Sequence, residues 1–389
     1  MLPALLVLLL SLQSPAPAAP ATPPPPPASG FTATTLVSGL GLGYQLVLAD
    51  LIRDTRLDVI VVDERAQDLA WYENPTWERH VLATQVPRVI NLDTHDLDGD
   101  GIPEIAMAHH FETVPARSVG QVLLLTHGED PRQPWTVQPI DTVPTAHRVR
   151  WMRVENGKAP WLLVAPFAGT GVLAPKYEGR TPIYAYRPGT WTRQRISSTL
   201  TGIVHSIHPV EWAPGRWQLL AATFDGVQRL VPKEGEWTHV PITSGNLEPC
   251  PRCGTSEVKV GRLGTRRFLA TIEPFHGNIV AIYLDRPAGW ERLVLENAMI
   301  NGHALAVADL DGDGNDEVVA SFRGKNPRVS VYRATDATGT RWTPAVLSQD
   351  TVAGADCKVA DLTADGRPDI VCSGASTGNV VLFTASGPR

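Results

Sequence analysis

Four cysteines among 389 residues are too few to staple a fold, so a disulfide scaffold is excluded, and 33 glycines without a three-residue period exclude a collagen-like chain. Charged residues are scarce, 19% against 43% hydrophobic, which excludes a disordered chain and requires a large core. There is no basic surplus. With 34 Lys and Arg against 40 Asp and Glu the net charge is -6, so the cationic footprint of a nucleic-acid partner is missing. No stretch reaches the eighteen apolar residues of a membrane-spanning helix, so no membrane insertion is expected. Helical periodicity is missing throughout, and 34 prolines with the glycines point to short strands and turns.

The apolar run Leu2 to Leu12 is too short to span a bilayer and is followed by small residues from Ser14 to Ala19. It reads as a secretory signal, residues 1–18, although no Lys or Arg precedes Arg53. A secreted or periplasmic location follows. Residues 19–30, with Pro23 to Pro27, read as a stiff spacer. Length alone allows two or three domains.

What is present is a repeat. Trp opens a β-prone run and is followed five residues later by Leu or Ile at Trp77, Trp135, Trp191, Trp237, Trp290 and Trp342, and Phe31 with Leu36 makes a seventh copy. A second landmark, an apolar strand ending on Asp50, Asp96, Arg153, Glu211, Arg262, Asp309 or Asp361, also recurs seven times. Roughly 53 residues per repeat suit a four-stranded antiparallel blade. The expectation is an all-β, seven-bladed propeller over residues 31–389, with strands A to D in each blade and the N-terminal strand completing the last blade. An open solenoid would not need that closure.

The turn from strand A to strand B in blade two reads DLDGDGIPE, with Asp96, Asp98, Asp100 and Glu104 at alternate places and the Ile102 carbonyl between them. Blade six repeats it with Asp309, Asp311, Asp313, Asn315 and Glu317. Alternate hard oxygens on a Gly-kinked loop suit structural calcium or magnesium, while a metal-free polar turn is the plainer reading. These turns resemble the FG-GAP, or VCBS, repeats of secreted and integrin-type propellers.

The opposite face carries an uneven distribution of histidine. The position opening strand A, six residues before each landmark, is Tyr44, Ile90, His147, His205, Ser256, His303 and Ala355. His276 follows strand B of blade five on the same face, and Arg323 that of blade six. Imidazole is a common ligand of zinc and related ions, so His147, His205 and His303 are expected metal ligands and His276 a fourth ligand or a base. A hydrogen-bonded structural histidine is the competing reading. Strand alternation adds a difficulty, because Arg148, Arg150, His208, Lys259 and Lys358 lie at the parity that lines the channel and the opening histidines at the other. Arg148, His208, Lys259 and Lys358 are expected to meet a hydroxyl-rich ligand.

The strings HRVRW at His147, IEPFHGN around His276, GHALAVADLDGDG from Gly302 and CKVADL before Asp361 resemble the propeller domain of fungal aldos-2-ulose dehydratases and their bacterial relatives. That resemblance implies elimination of water from keto-sugars such as 1,5-anhydrofructose, with a divalent metal. Such an elimination needs a Lewis acid, a base and an acid, and on residue type His276 and Arg323 are expected at the chemistry. It covers the propeller alone, so isomerase activity is not carried over. Two other functions fit the same residues: a non-catalytic, calcium-braced propeller binding a glycan or protein, and a polysaccharide lyase. Cys250 and Cys253 form a lone CPRC, read as a local disulfide, whereas Cys357 and Cys372 suit either a cross-strand disulfide or two buried thiols. The sequence leaves the oligomeric state unknown.

Overall fold

Seven four-stranded antiparallel sheets surround a common axis in the computed structural model, which describes residues 30–155 and 158–385. The expected signal and nearly all of the proline spacer therefore lie outside the described residues. The innermost strands, one per blade, are Gly43–Ala49, Asn91–His95, Ala146–Met152, Val204–Ala213, Glu257–Leu263, Gly302–Ala308 and Gly354–Ala360. Each contacts the innermost strand of the next blade, and that of blade seven contacts that of blade one, so the circuit is complete. The all-β, seven-bladed propeller expected from the repeat is the observed fold.

Burial follows position in the blade. The second strands Glu104–His109, Trp161–Pro166, Glu317–Phe322 and Asp369–Gly374 are buried along their whole length, because both faces meet neighbouring blades. Outer strands such as Thr136–Thr142 and Gly289–Glu296 are largely exposed or half-buried. In two of the six Trp copies the two halves of the repeat meet across a blade boundary. The Trp135 N–H donates to the Leu82 carbonyl at 2.8 Å, and the Trp237 N–H to the Ile196 carbonyl at 2.7 Å. In each pair the Trp that leads into one outer strand is tied to the Leu or Ile of the preceding outer strand.

The ring is closed as the sequence requires. Phe31–Ser38 pairs antiparallel with Asn379–Ala385 and supplies the fourth strand of blade seven. Both cysteine pairs are disulfides. Cys250–Cys253 closes the loop before blade five, and Cys357–Cys372 joins the two inner strands of blade seven. Among the described residues no helix is long and apolar enough to cross a membrane.

Removing residues 1–38 would leave Asn379–Ala385 as an open edge. The truncated protein should melt roughly 10 °C or more below one that begins at residue 30, and should aggregate on heating. Equal melting temperatures by differential scanning fluorimetry would show that the strand does not hold the ring.

Candidate functional site

The parity difficulty is removed by a β-bulge at the top of strand A. In blades one, three, four, six and seven the ladder to strand B slips between Gly43 and Gln45, Ala146 and Arg148, Val204 and Ser206, Gly302 and Ala304, and Gly354 and Asp356. The residue passed over is Tyr44, His147, His205, His303 or Ala355, the column read from the sequence. A bulge sets two residues against one partner and suspends alternation for one step, so an opening residue and its successor can both face the axis. Tyr44 with Gln45, and Ala355 with Asp356, indeed line one cavity at the axis.

Three imidazoles converge there. Ring nitrogens of His205, His276 and His303 all lie within 4.8 Å of one another. Blade six is drawn to the His276 loop by the Gly302 N–H, which donates to the Gly277 carbonyl at 2.9 Å, and a Cβ on Gly302 would come within 2.8 Å of that oxygen. His276 takes φ 47°, and its ring stacks on Phe275 with centroids 4.0 Å apart. His205 Nδ1 donates to the Ser256 carbonyl at 3.1 Å, and His303 Nδ1 donates to the Ala355 carbonyl. Each acceptor is the opening residue of the next blade. With the proton fixed on Nδ1, both rings present a lone pair at Nε2. Nε2 of His205 is 3.1 Å from Nε2 of His276, and Nε2 of His303 is buried without a partner. Two nitrogens on one tetrahedral zinc lie about 3.3 Å apart, so this neutral, inward-facing set fits a divalent transition ion.

His147 stands beside this set and not in it, which corrects its assignment as a ligand. Its ring centroid is 5.1 Å from that of His205, but its Nε2 is occupied by Arg148 Nη1 at 2.9 Å and the Tyr44 hydroxyl at 3.1 Å. A guanidinium can only donate, so that lone pair is engaged by two close partners, whereas Nε2 of His276 meets one guanidinium nitrogen, Arg323 Nη2, at the longer distance of 3.3 Å and must give it up to ligate an ion. His276 takes the third place in this group of ring nitrogens. Burial, first of all, holds His147, His205, His276 and His303 below the ordinary histidine range, with neighbouring cations adding to it.

Charged groups surround the imidazoles. Buried Glu257 places Oε1 3.2 Å from His205 Nδ1 and 3.4 Å from Arg148 Nη2. Burial alone would raise its carboxyl, but the hydrogen bond from His205 and the charges of Lys259 and Arg148 outweigh burial and hold it well below the usual carboxylate range. Lys259 lines the same cavity, where burial brings its ammonium down to about 8. Lys358 is paired with Asp356 at 2.8 Å, and burial holds His208 well below its ordinary value. Arg323 Nη2 lies 3.3 and 3.4 Å from the two ring nitrogens of His276, and its Nε is buried without a partner. An aromatic wall closes one side: Phe111 and Phe167 against His147, and Phe275 against His205, at centroid distances of 5.3 to 5.4 Å. Tyr44, Glu257 and this wall were not read as site residues. Tyr44 stood in the histidine column, which was the signal available.

The acidic turns lie at the other ends of the inner strands. Asp96, Asp98 and Glu104 come within 4.8 Å of one another, as do Asp309, Asp311 and Glu317. Asp100 and Asp313 fall outside those groups, and each accepts the N–H two residues on, from Ile102 at 2.8 Å and from Asn315 at 2.7 Å. Asp100 also faces His127 Nε2 at 3.1 Å. In blade six Arg333 Nε reaches both Asp311 and Glu317 at 3.0 Å and competes with a cation for them. Blades one and seven share the scaffold, with Asp58 and Asp369 accepting from Leu51 and Leu362, so these turns hold their shape by internal hydrogen bonds.

Residues 119–286 match the family described as the aldos-2-ulose dehydratase β-propeller domain, and residues 309–372 match the FG-GAP-like repeat. Aldos-2-ulose dehydratase of Phanerodontia chrysosporium is 26% identical over 267 residues, covering 59% of this chain and 29% of that protein. The chain thus spans under a third of the length of this curated relative. Among solved structures, BBS1N in complex with ARL6DN superposes with a TM-score of 0.59 at 11% identity, covering 92% of this chain and 97% of the other. The extracellular domain of the one-component system BT4673 of B. thetaiotaomicron gives 0.55 at 12% identity, covering 91% and 40%. These two show the fold alone. Both resemblances read from the sequence are recovered, and the dehydratase match contains His147, His205 and His276.

Acid should destabilise the protein through the buried imidazoles. Below the ordinary histidine value of 6.5 the unfolded chain takes up protons that the folded one refuses, so stability falls as pH falls. Each imidazole contributes up to about 1.4 kcal/mol per pH unit in that window. In chelator-treated protein the melting temperature should drop from pH 7 to pH 5, and less steeply in His147→Gln. Equal slopes would mean that His147 is protonated within the fold.

Proposed function

We propose that the protein is an exported carbohydrate lyase of the hydro-lyase type, secreted or periplasmic, that eliminates water from a keto-sugar such as 1,5-anhydrofructose. His205, His276 and His303 hold a divalent transition ion in this reading, zinc being the ion that suits three imidazoles. The observation that carries it is the convergence of three neutral, inward-facing imidazoles beside two guanidiniums at the mouth of a polar channel. The partial similarity to a dehydratase propeller supports it.

When bound, such an ion supplies a Lewis acid for the sugar carbonyl. The side chains of the chain do the rest. Arg323, with an unpartnered Nε, and Arg148 offer cationic N–H donors to sugar oxygens and to negative charge that develops beside the carbonyl. Lys259, titrating near neutrality, removes the adjacent carbon-bound proton, and the Tyr44 hydroxyl donates towards the departing hydroxyl. His208 and Lys358 contact the remainder of the sugar along the channel wall. The aromatic wall keeps water from the reacting carbons. Calcium or magnesium braces the turns of blades two and six, more weakly in six because of Arg333.

Elemental analysis of the purified protein should find about one transition ion per chain. His303→Ala should lose it and lower the rate of enone formation from 1,5-anhydrofructose, read by ultraviolet absorbance, by about a hundredfold or more. Unchanged metal content and turnover in His303→Ala would overturn the proposal.

A neutral amine is needed for proton removal, so kcat/KM should rise with pH, reach half its maximum near 8 and level off above it. Lys259→Met should abolish that limb. A flat profile through this range in the wild type would exclude Lys259 as the base.

A further inference from the structure

Of the three converging imidazoles, His205 is the one with a carboxylate within ion-pair distance among the described residues. That carboxylate, Glu257, is buried at the start of the innermost strand of blade five, Glu257–Leu263. His303 is oriented by a carbonyl alone, that of Ala355. His205 already has the equivalent carbonyl, Ser256 at 3.1 Å, so orientation by itself does not call for a second acceptor. Glu257 adds a full negative charge 3.2 Å from Nδ1, on the side of the ring remote from the cluster, in a place where burying a carboxylate is costly. Its other contacts are cationic: Arg148 Nη2 at 3.4 Å and Lys259 Nζ at 3.8 Å. One carboxylate therefore links an imidazole of the cluster to a guanidinium beside it and to the channel amine.

We propose that Glu257 is a positioning residue that tunes the metal affinity of the cluster through His205. It shares the Nδ1 proton of His205 with the Ser256 carbonyl, locks the tautomer that leaves Nε2 facing His276, and makes that nitrogen a stronger electron donor than those of the other two rings. This rests on the reading that His205, His276 and His303 hold a metal. It goes beyond that reading by assigning the strength of the site to a residue that is not itself a metal ligand.

The test is Glu257→Gln, which keeps the shape and an acceptor oxygen but removes the charge. Zinc affinity, measured on the full chain by titration against a chromophoric chelator, should fall about 10- to 100-fold. The cobalt(II) derivative should show a shifted visible absorption band, which a purely structural ion pair with Arg148 would not produce. Glu257→Asp, which keeps the charge but withdraws it from Nδ1, should lose less affinity, and it decides the matter if the Gln variant fails to fold. Zinc affinity and cobalt spectrum equal to wild type in the folded variant would overturn the role of Glu257 while leaving the metal site standing. A wild-type protein that binds no zinc would overturn both.

Discussion

Closure of the ring is the constraint on which the rest depends. The pairing of Phe31–Ser38 with Asn379–Ala385 brings the first strand of the fold and the last into one sheet and completes the circuit of innermost strands. Seven strand openings then face one mouth, and residues from blades four, five and six, such as His205, His276 and His303, are brought within a few ångströms although they are far apart in the chain. In an open arrangement each histidine would sit at the end of its own sheet. The β-bulges complete the effect by turning the opening residue inward without sacrificing its successor, so imidazoles and cationic side chains share a narrow space.

Burial sets the chemistry of that space. Desolvation keeps the four imidazoles neutral, which leaves lone pairs free for a metal or a proton donor, and it lowers the proton affinity of Lys259. Cations cannot be buried together without compensation, and Glu257 supplies part of it between Arg148, Lys259 and His205. The same accounting separates the two ends of the inner strands. At the histidine end the polar groups face inward and are dehydrated, whereas in the acidic turns of blades two and six the Asp side chains are exposed or half-buried and accept from local N–H groups, with Glu104 and Glu317 buried beneath them.

Much of this was legible in the residues. The Trp and Leu or Ile pair marks the outer strand, and at Trp135 with Leu82 and Trp237 with Ile196 its backbone groups join consecutive blades. The histidine column was visible because equivalent positions in a repeat occupy equivalent places in space. Which histidines would meet was not legible. His147 and His205 hold the same place in their blades, yet the neighbour of one is Arg148, which takes its lone pair, and the neighbour of the other is Ser206, which leaves it free. His276 comes from a loop whose path depends on Gly277 receiving the N–H of Gly302 from the next blade.

The sequence by itself determined the number of blades, the strand order, the closing strand and the face on which histidine concentrates, because each of these is a periodic property that a one-dimensional pattern can carry. Tertiary structure alone decided the membership of the imidazole cluster, the inward turn of the opening residues and the place of Glu257 behind His205. Those depend on distances between side chains of different blades, and such distances exist only once the ring has closed and brought the strand openings to a single axis.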